Sequence, residues 1–195
     1  AATLAREVAG EAGRDIIVAG SIGPTGELFV PLGALDHHSA VNAFKEQCDA
    51  LKQGGVDVLW IETLSSVEEF NAAVEAASTV GLPICATMTF DTAGRSMMGV
   101  KPEAFAALAQ QADIAAFGAN CGVGPAELMH SVINFSPMQT TKYVIAKGNC
   151  GIPIYKDGKI HYHGSPELMA DYAIMARNAG AQIIGGCCGT SPEHI

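Results

Sequence analysis

The stretch VLWIETLSSVEEFNAAVEAASTVGLPICATM, residues 58–88, holds one complete folding unit. Its opening, Val58-Leu59-Trp60-Ile61, is short and almost wholly apolar. That is the pattern of a strand covered on both faces, because parallel sheets take helices on both sides. Ser65 with Glu68 three residues later makes a capping box, and Val67, Phe70 and Val74 then recur on one helical face until Gly81 stops the helix. Ile84-Cys85-Ala86-Thr87-Met88 follows as a second buried strand. Strand, helix and strand in this order predict a right-handed parallel crossover.

The same rhythm extends outward in both directions. Ile16-Ile17-Val18-Ala19, Ile114-Ala115-Ala116-Phe117, Tyr143-Val144-Ile145-Ala146 and Gln182-Ile183-Ile184 bring the strand count to six. Asp36 caps a helix whose Val41, Phe44, Cys48 and Leu51 form one stripe, ending at Gly54-Gly55. Pro102, Pro125, Pro166 and Pro192 each suit a first helical turn, where a missing N–H is harmless. The helix from Pro166 is expected to bury Leu168, Met169, Tyr172 and Met175, and the chain opens inside a helix carrying Leu4 and Val8. Asp157-Gly158 between two alternating runs, Ile154 to Tyr162, predicts a hairpin after the fifth strand.

Two α/β architectures suit six such units, an open doubly wound sheet and a (β/α)8 barrel. A barrel needs eight strands in about 250 residues. No G-x-G-x-x-G follows the first strand, which removes the best sequence argument for a dinucleotide-binding doubly wound fold. Pattern alone leaves both open. The 195 residues are expected to form one domain, 1–195. A net charge of −9 and a pI near 5.0 oppose attraction to nucleic acid or an anionic membrane surface. No apolar run reaches membrane-spanning length and Ala1-Ala2-Thr3-Leu4-Ala5-Arg6 has no signal-peptide core, so a cytoplasmic location is expected; the missing initiator Met reads as a fragment. Six scattered cysteines in a chain with an ordinary core do not form a secreted disulfide framework.

Reactive residues follow every strand: Ser21, Glu62-Thr63, Phe90-Asp91, Asn120-Cys121-Gly122, Lys147-Gly148-Asn149-Cys150 and Cys187-Cys188-Gly189. In either architecture the carboxyl ends of the strands share one face, so these residues are neighbours in space. Adjacent cysteines on a strand point to opposite sides, and a glycine-flanked turn is needed to aim both at one ion. Two thiolates from such a turn and a third from Cys121 would leave zinc one open position. The alternatives are three buried small hydrophobes, or a redox pair at Cys187 and Cys188. Cys48 and Cys85 read as core, and Cys150 as a substitute ligand. Glu62 ends an apolar strand and needs a partner, either a substrate ammonium or a lysine. Lys147 offers a second chemistry, an aldolase Schiff base. Ser21 has no base nearby in sequence, and Gly23-Pro24-Thr25-Gly26 reads as a turn. His37, His38, His130 and His194 read as solvated, His161 and His163 face one side of the hairpin, and the methionines read as core filler.

Ala19-Gly20-Ser21-Ile22-Gly23-Pro24, Trp60-Ile61-Glu62-Thr63-Leu64, Gly118-Ala119-Asn120-Cys121 and Gly185-Gly186-Cys187-Cys188-Gly189-Thr190-Ser191-Pro192-Glu193-His194-Ile195 together resemble the zinc-dependent homocysteine S-methyltransferase family. Phe90-Asp91-Thr92, Met97-Met98-Gly99 and Lys147-Gly148-Asn149-Cys150-Gly151 resemble its bacterial betaine-homocysteine methyltransferase-like members. The resemblance implies a (β/α)8 TIM barrel in which this chain supplies strands three to eight and lacks the first two. Such a remnant exposes two sheet edges and should need completion by another segment, and a homo-oligomer is compatible with that. The resemblance further implies zinc on Cys121, Cys187 and Cys188, Glu62 on the homocysteine amino group, and Asn120, Asn149 and Ser21 around the substrate. The small-molecule substrates it implies are homocysteine and a small onium methyl donor such as betaine, with a methylfolate or methylcobalamin donor as the alternative. Phe90 and Tyr155 are the aromatic candidates near strand ends for holding an onium methyl group. A non-catalytic barrel fragment that retains zinc is the third reading.

Overall fold

The computed structural model describes residues 1–91, 93–135 and 140–195, so Thr92 of the Phe90-Asp91-Thr92 run lies outside the described residues. In chain order the elements are α1 (Ala2–Glu11), β1 (Ala19–Ile22), α2 (His37–Gln53), β2 (Val58–Leu64), α3 (Val67–Ser78), β3 (Ile84–Met88), α4 (Pro102–Gln111), β4 (Ala116–Cys121), α5 (Pro125–Phe135), β5 (Tyr143–Gly148), β6 (Ile154–Lys156), β7 (Lys159–His161), α6 (Pro166–Asn178), β8 (Ile183–Gly186) and a closing 3-10 turn at Pro192–His194. Six strands form one parallel sheet in the order β1-β2-β3-β4-β5-β8, and β6 and β7 form the expected hairpin. No helix among the described residues is long and apolar enough to cross a membrane.

Each strand of the sheet lies beside the next in sequence, apart from the hairpin inserted before β8. A doubly wound sheet reverses its order at a switch point, and this one does not. The sheet also curls. Glu62 on β2 and Lys147 on β5 are ion-paired although three strand spacings separate their strands, about 14 Å in a flat sheet. The result is a half-barrel of six strands whose edges are β1 and β8.

Alternation assigns the two faces. Leu59, Ile61, Ala86, Phe117, Val144 and Ala146 face outward into the main core under the helices. Val58, Trp60, Cys85, Ala116, Ile145 and Ile183 face inward as a smaller cluster. Phe70, Phe90, Phe105, Phe117 and Phe135 form a chain of edge-to-face and tilted rings that contributes to the outer core. Gly118 is required where β4 meets β5, because a Cβ there would lie 1.9 Å from the Ile145 carbonyl oxygen.

Several expectations shift. β1, β4 and β8 begin later than their apolar runs, so Ser21 and Asn120 lie within strands and point inward. The runs include buried lead-in residues, Val18 and Ile114, that dock below the ladder. The α3 cap is Ser66 rather than Ser65: its Oγ accepts the Glu69 N–H at 3.1 Å, while the Ser65 carbonyl accepts Ser96 Oγ at 2.6 Å. Buried Glu69 accepts the Thr25 N–H and hydroxyl at 2.8 and 2.7 Å, pinning the Gly23–Gly26 turn. On α6 the buried stripe is Met169, Tyr172 and Ala176, whereas Leu168 and Met175 are exposed beside it. Leu4 and Val8 of α1 also face outward, and Met97 and Met98 are exposed rather than core filler.

Candidate metal centre

Cys121 ends β4 in a left-handed conformation (φ 60°), and Gly122 continues the turn at φ 77°. Cys187 and Cys188 leave β8 in a corner stitched to the loop after β5. The Cys187 N–H donates to the Gly148 carbonyl at 2.7 Å, and the Cys150 N–H donates to the Cys188 carbonyl at 2.9 Å. Buried Asn149 joins the two sulfur-bearing loops: its Oδ1 accepts the Cys188 N–H at 2.9 Å and its Nδ2 donates to the Gly122 carbonyl at 2.7 Å. Fully buried Asn120 accepts the Thr63 N–H and the Thr87 hydroxyl at 2.9 and 2.7 Å. Its amide nitrogen donates to Thr63 Oγ1 at 2.8 Å and faces Cys187 Sγ at 3.8 Å. The two asparagines therefore position the sulfurs through complete hydrogen-bond sets.

These constraints bring the Sγ atoms of Cys121, Cys187 and Cys188 within 4.8 Å of one another, with Cys121 and Cys188 at 3.8 Å. Tetrahedral zinc with Zn–S bonds of about 2.3 Å requires sulfurs about 3.8 Å apart. The Cys121–Cys188 pair meets that spacing and Cys187 lies within 4.8 Å of both, so the three soft sulfur donors suit zinc and leave a fourth position. Among the described residues this is the one group of three metal-ligating side chains close enough to share an ion. Cys187 is drawn well below the usual thiol range, first by the hydrogen bond from Cys121 and then, against its burial, by the Lys147 charge and the Asn120 amide. Cys121, the proton donor of that pair, is pushed upward by the same bond and by burial.

The other cysteines stay outside the cluster. Cys150 is buried and donates to the Gly164 carbonyl at 3.0 Å. Burial pushes the core thiols of Cys48 and Cys85 up to about 11. His161 and His163 stack with parallel rings 6.4 Å apart. His194 is not a solvated side chain: Nδ1 accepts the Ser191 N–H at 3.1 Å and Nε2 donates to the Gly164 carbonyl at 3.3 Å, tying the C-terminal turn to the hairpin base.

Inside the half-barrel, Glu62 accepts the Ser21 hydroxyl at 2.6 Å and pairs with Lys147, whose Nζ also lies 5.8 Å from the Trp60 ring centroid. Of the two partners open to Glu62 in sequence, the structure supplies the lysine. The nitrogen of Lys147 is thereby engaged by a carboxylate rather than open to a carbonyl. These residues line a cavity of about 430 Å³ with Gly185 and Gly186. Phe90 is buried among aromatic rings, and Tyr155 stands exposed on the hairpin.

Tyr162 escapes the sequence reading, and Thr63 is named there among the strand-end residues without a role. Tyr162 packs on Gly189, next to Cys188, where a Cβ would lie 2.3 Å from the ring. Thr63 adopts φ 66°, rare for a β-branched residue, and this brings both its N–H and its hydroxyl onto Asn120. Tyr162 depends on how the hairpin docks, which no local pattern encodes. The kink at Thr63 coincides with the register shift between Ile61 and Leu64.

The family model for homocysteine S-methyltransferases matches residues 1–195. The chain belongs to this family. Among solved structures, the apo form of the homocysteine methyltransferase MmuM from Escherichia coli aligns with a TM-score of 0.76 at 23% identity, covering 98% of this chain and 65% of that one. Its metallated form aligns with a TM-score of 0.72 at 24% identity, covering 98% of this chain and 64% of that one. The chain thus spans about 65% of the length of these relatives, and at such identities the likeness is one of fold. Family membership and the parallel half-barrel agree with the barrel reading over the doubly wound one.

Proposed function

We propose that this chain is the zinc- and homocysteine-binding part of a homocysteine S-methyltransferase, with a small onium compound such as betaine as donor. The observation that carries the reading is the cluster of three sulfurs within 4.8 Å of one another, on the same strand-end face as Glu62, in a chain of this family. Bound by Cys121, Cys187 and Cys188, zinc would supply a Lewis acid that lowers the pKa of a thiol in its fourth position, so that the sulfur is nucleophilic at neutral pH.

The chain's own residues do the rest. Asn120 and Asn149 hold the cysteine loops in place, and Tyr162 covers the Cys188 side. Glu62, oriented by Ser21, takes the amino group of homocysteine and fixes the distance from that group to the thiol. Transfer forms a bond between the homocysteine sulfur and the donor methyl, breaks the methyl bond to the donor's onium atom, which departs neutral, and passes the thiol proton to solvent, giving methionine. The betaine assignment follows the likeness of the segments around Phe90, Met97 and Lys147 to bacterial betaine-dependent members.

The test is the whole protein assayed with homocysteine against betaine, a sulfonium donor, methylfolate and methylcobalamin. Methionine formation from betaine is expected. Turnover with methylfolate or methylcobalamin alone would replace the donor assignment and keep the acceptor site. Cys187→Ala should lose both bound zinc and turnover, as read by metal analysis and methionine production. Retained zinc with full activity would contradict the ligand assignment.

A further inference from the structure

The Glu62–Lys147 ion pair is mostly sheltered from solvent, its side chains 16% and 26% exposed. It spans the half-barrel from β2 to β5 and borders the interior cavity. The homocysteine reading places a substrate ammonium on Glu62, and with Lys147 still in place two cations would share that one carboxylate, an excess positive charge in a sheltered site. Opening a sheltered pair is unfavourable unless each charge finds a new counter-charge. A ligand that brings only an ammonium satisfies Glu62 and strands Lys147, and one that brings only a carboxylate does the reverse. An α-amino acid brings both on neighbouring atoms, so it exchanges one ion pair for two and leaves no charge unmatched.

The surroundings permit that exchange. Lys147 pairs in register with Gly185 on β8, where an added Cβ would meet nothing within 4 Å, so there is room beside the lysine stem. Nζ lies near the face of Trp60, which supports a cation without fixing its position. The Trp60 Nε1–H, buried at the same cavity, has no hydrogen-bond partner among the described residues. Ser21 anchors Glu62 from the other side and keeps the carboxylate in place when the lysine swings away.

We propose that Lys147 holds the α-carboxylate of the amino-acid substrate, so that Glu62 and Lys147 together select a zwitterion over simple thiols. Lys147 is thereby a specificity-determining residue rather than a structural counter-ion. The proposal rests on the homocysteine reading above and adds a residue and a chemical class to it.

The experiment is calorimetric titration of the whole zinc-loaded protein with homocysteine, with its decarboxylated analogue aminopropanethiol, and with its deaminated analogue mercaptobutanoate. The wild type is expected to bind each analogue about a hundredfold or more weaker than homocysteine. Lys147→Met should weaken homocysteine by about tenfold or more and strengthen aminopropanethiol, which then strands no lysine, and Lys147→Arg should restore most of the homocysteine affinity. Equal weakening of homocysteine and aminopropanethiol in Lys147→Met, or no weakening of homocysteine, would overturn the proposal while sparing the homocysteine reading. Equal wild-type affinity for homocysteine and aminopropanethiol would overturn it without any variant. Absence of homocysteine binding to the wild type would overturn both.

Discussion

The Glu62 carboxylate is shared between Ser21 and Lys147, and the proposed function gives it the amino group of homocysteine. Glu62 lies within β2, two residues before its end, rather than at the strand end its apolar run suggests. Glu62→Gln keeps the shape and removes the charge. The Michaelis constant for homocysteine should rise roughly tenfold to a hundredfold, and the donor's should change little. Equal increases in both would count against an amine-holding role. The sulfur cluster itself was readable in the sequence, because a cysteine pair between glycines at a strand end has few other uses. The partner of Glu62 was not readable: Lys147 is 85 residues away, and only the curl of the sheet brings the two together. Tyr162 was missed because its place depends on hairpin docking, and Thr63, though named at the strand end, had no readable role because that role depends on a backbone kink.

The periodic pattern identified every strand and helix that positions the site, but it misplaced several ends. An apolar run marks what is buried, whereas the ladder begins where backbone pairing begins, and at β1 and β4 these differ by a few residues. The α3 cap moved by one residue because Ser65 and Ser66 offer the same chemistry, and the fold directs the Ser65 carbonyl to Ser96. Ser66→Ala should therefore lower stability by about 1 kcal/mol, measured from the urea midpoint, and Ser65→Ala by much less. The reverse order would contradict the cap assignment. At Gly118 the constraint is steric, and Gly118→Ala should push β4 from β5 and weaken the Asn120 cradle one turn of the strand further on.

At the scale of the whole molecule, the order β1-β2-β3-β4-β5-β8 and the curl of the sheet decide between architectures that strand counting alone could not separate. Burial of thiols couples this fold to pH. Cys48 and Cys85 stay protonated up to about 11 when folded, against an ordinary 9.0, so their contribution is complete below pH 9. Between pH 9 and 11 the unfolded chain releases these protons first, and stability falls as pH rises, by about 2 to 3 kcal/mol per thiol. Urea midpoints at pH 8 and 11 should show the loss, and Cys48→Ala with Cys85→Ala should flatten it. An equally steep fall in the double variant would place its origin elsewhere.

The proposed zinc site requires three distant cysteines to share one ion that keeps a position for a thiol. X-ray absorption at the zinc edge of the whole protein tests this directly. It should show three sulfurs and one lighter atom around the metal, with Zn–S near about 2.3 Å, becoming four sulfurs when homocysteine is added. Fewer than three sulfurs in the resting protein, or a zinc shell unchanged by homocysteine, would contradict it.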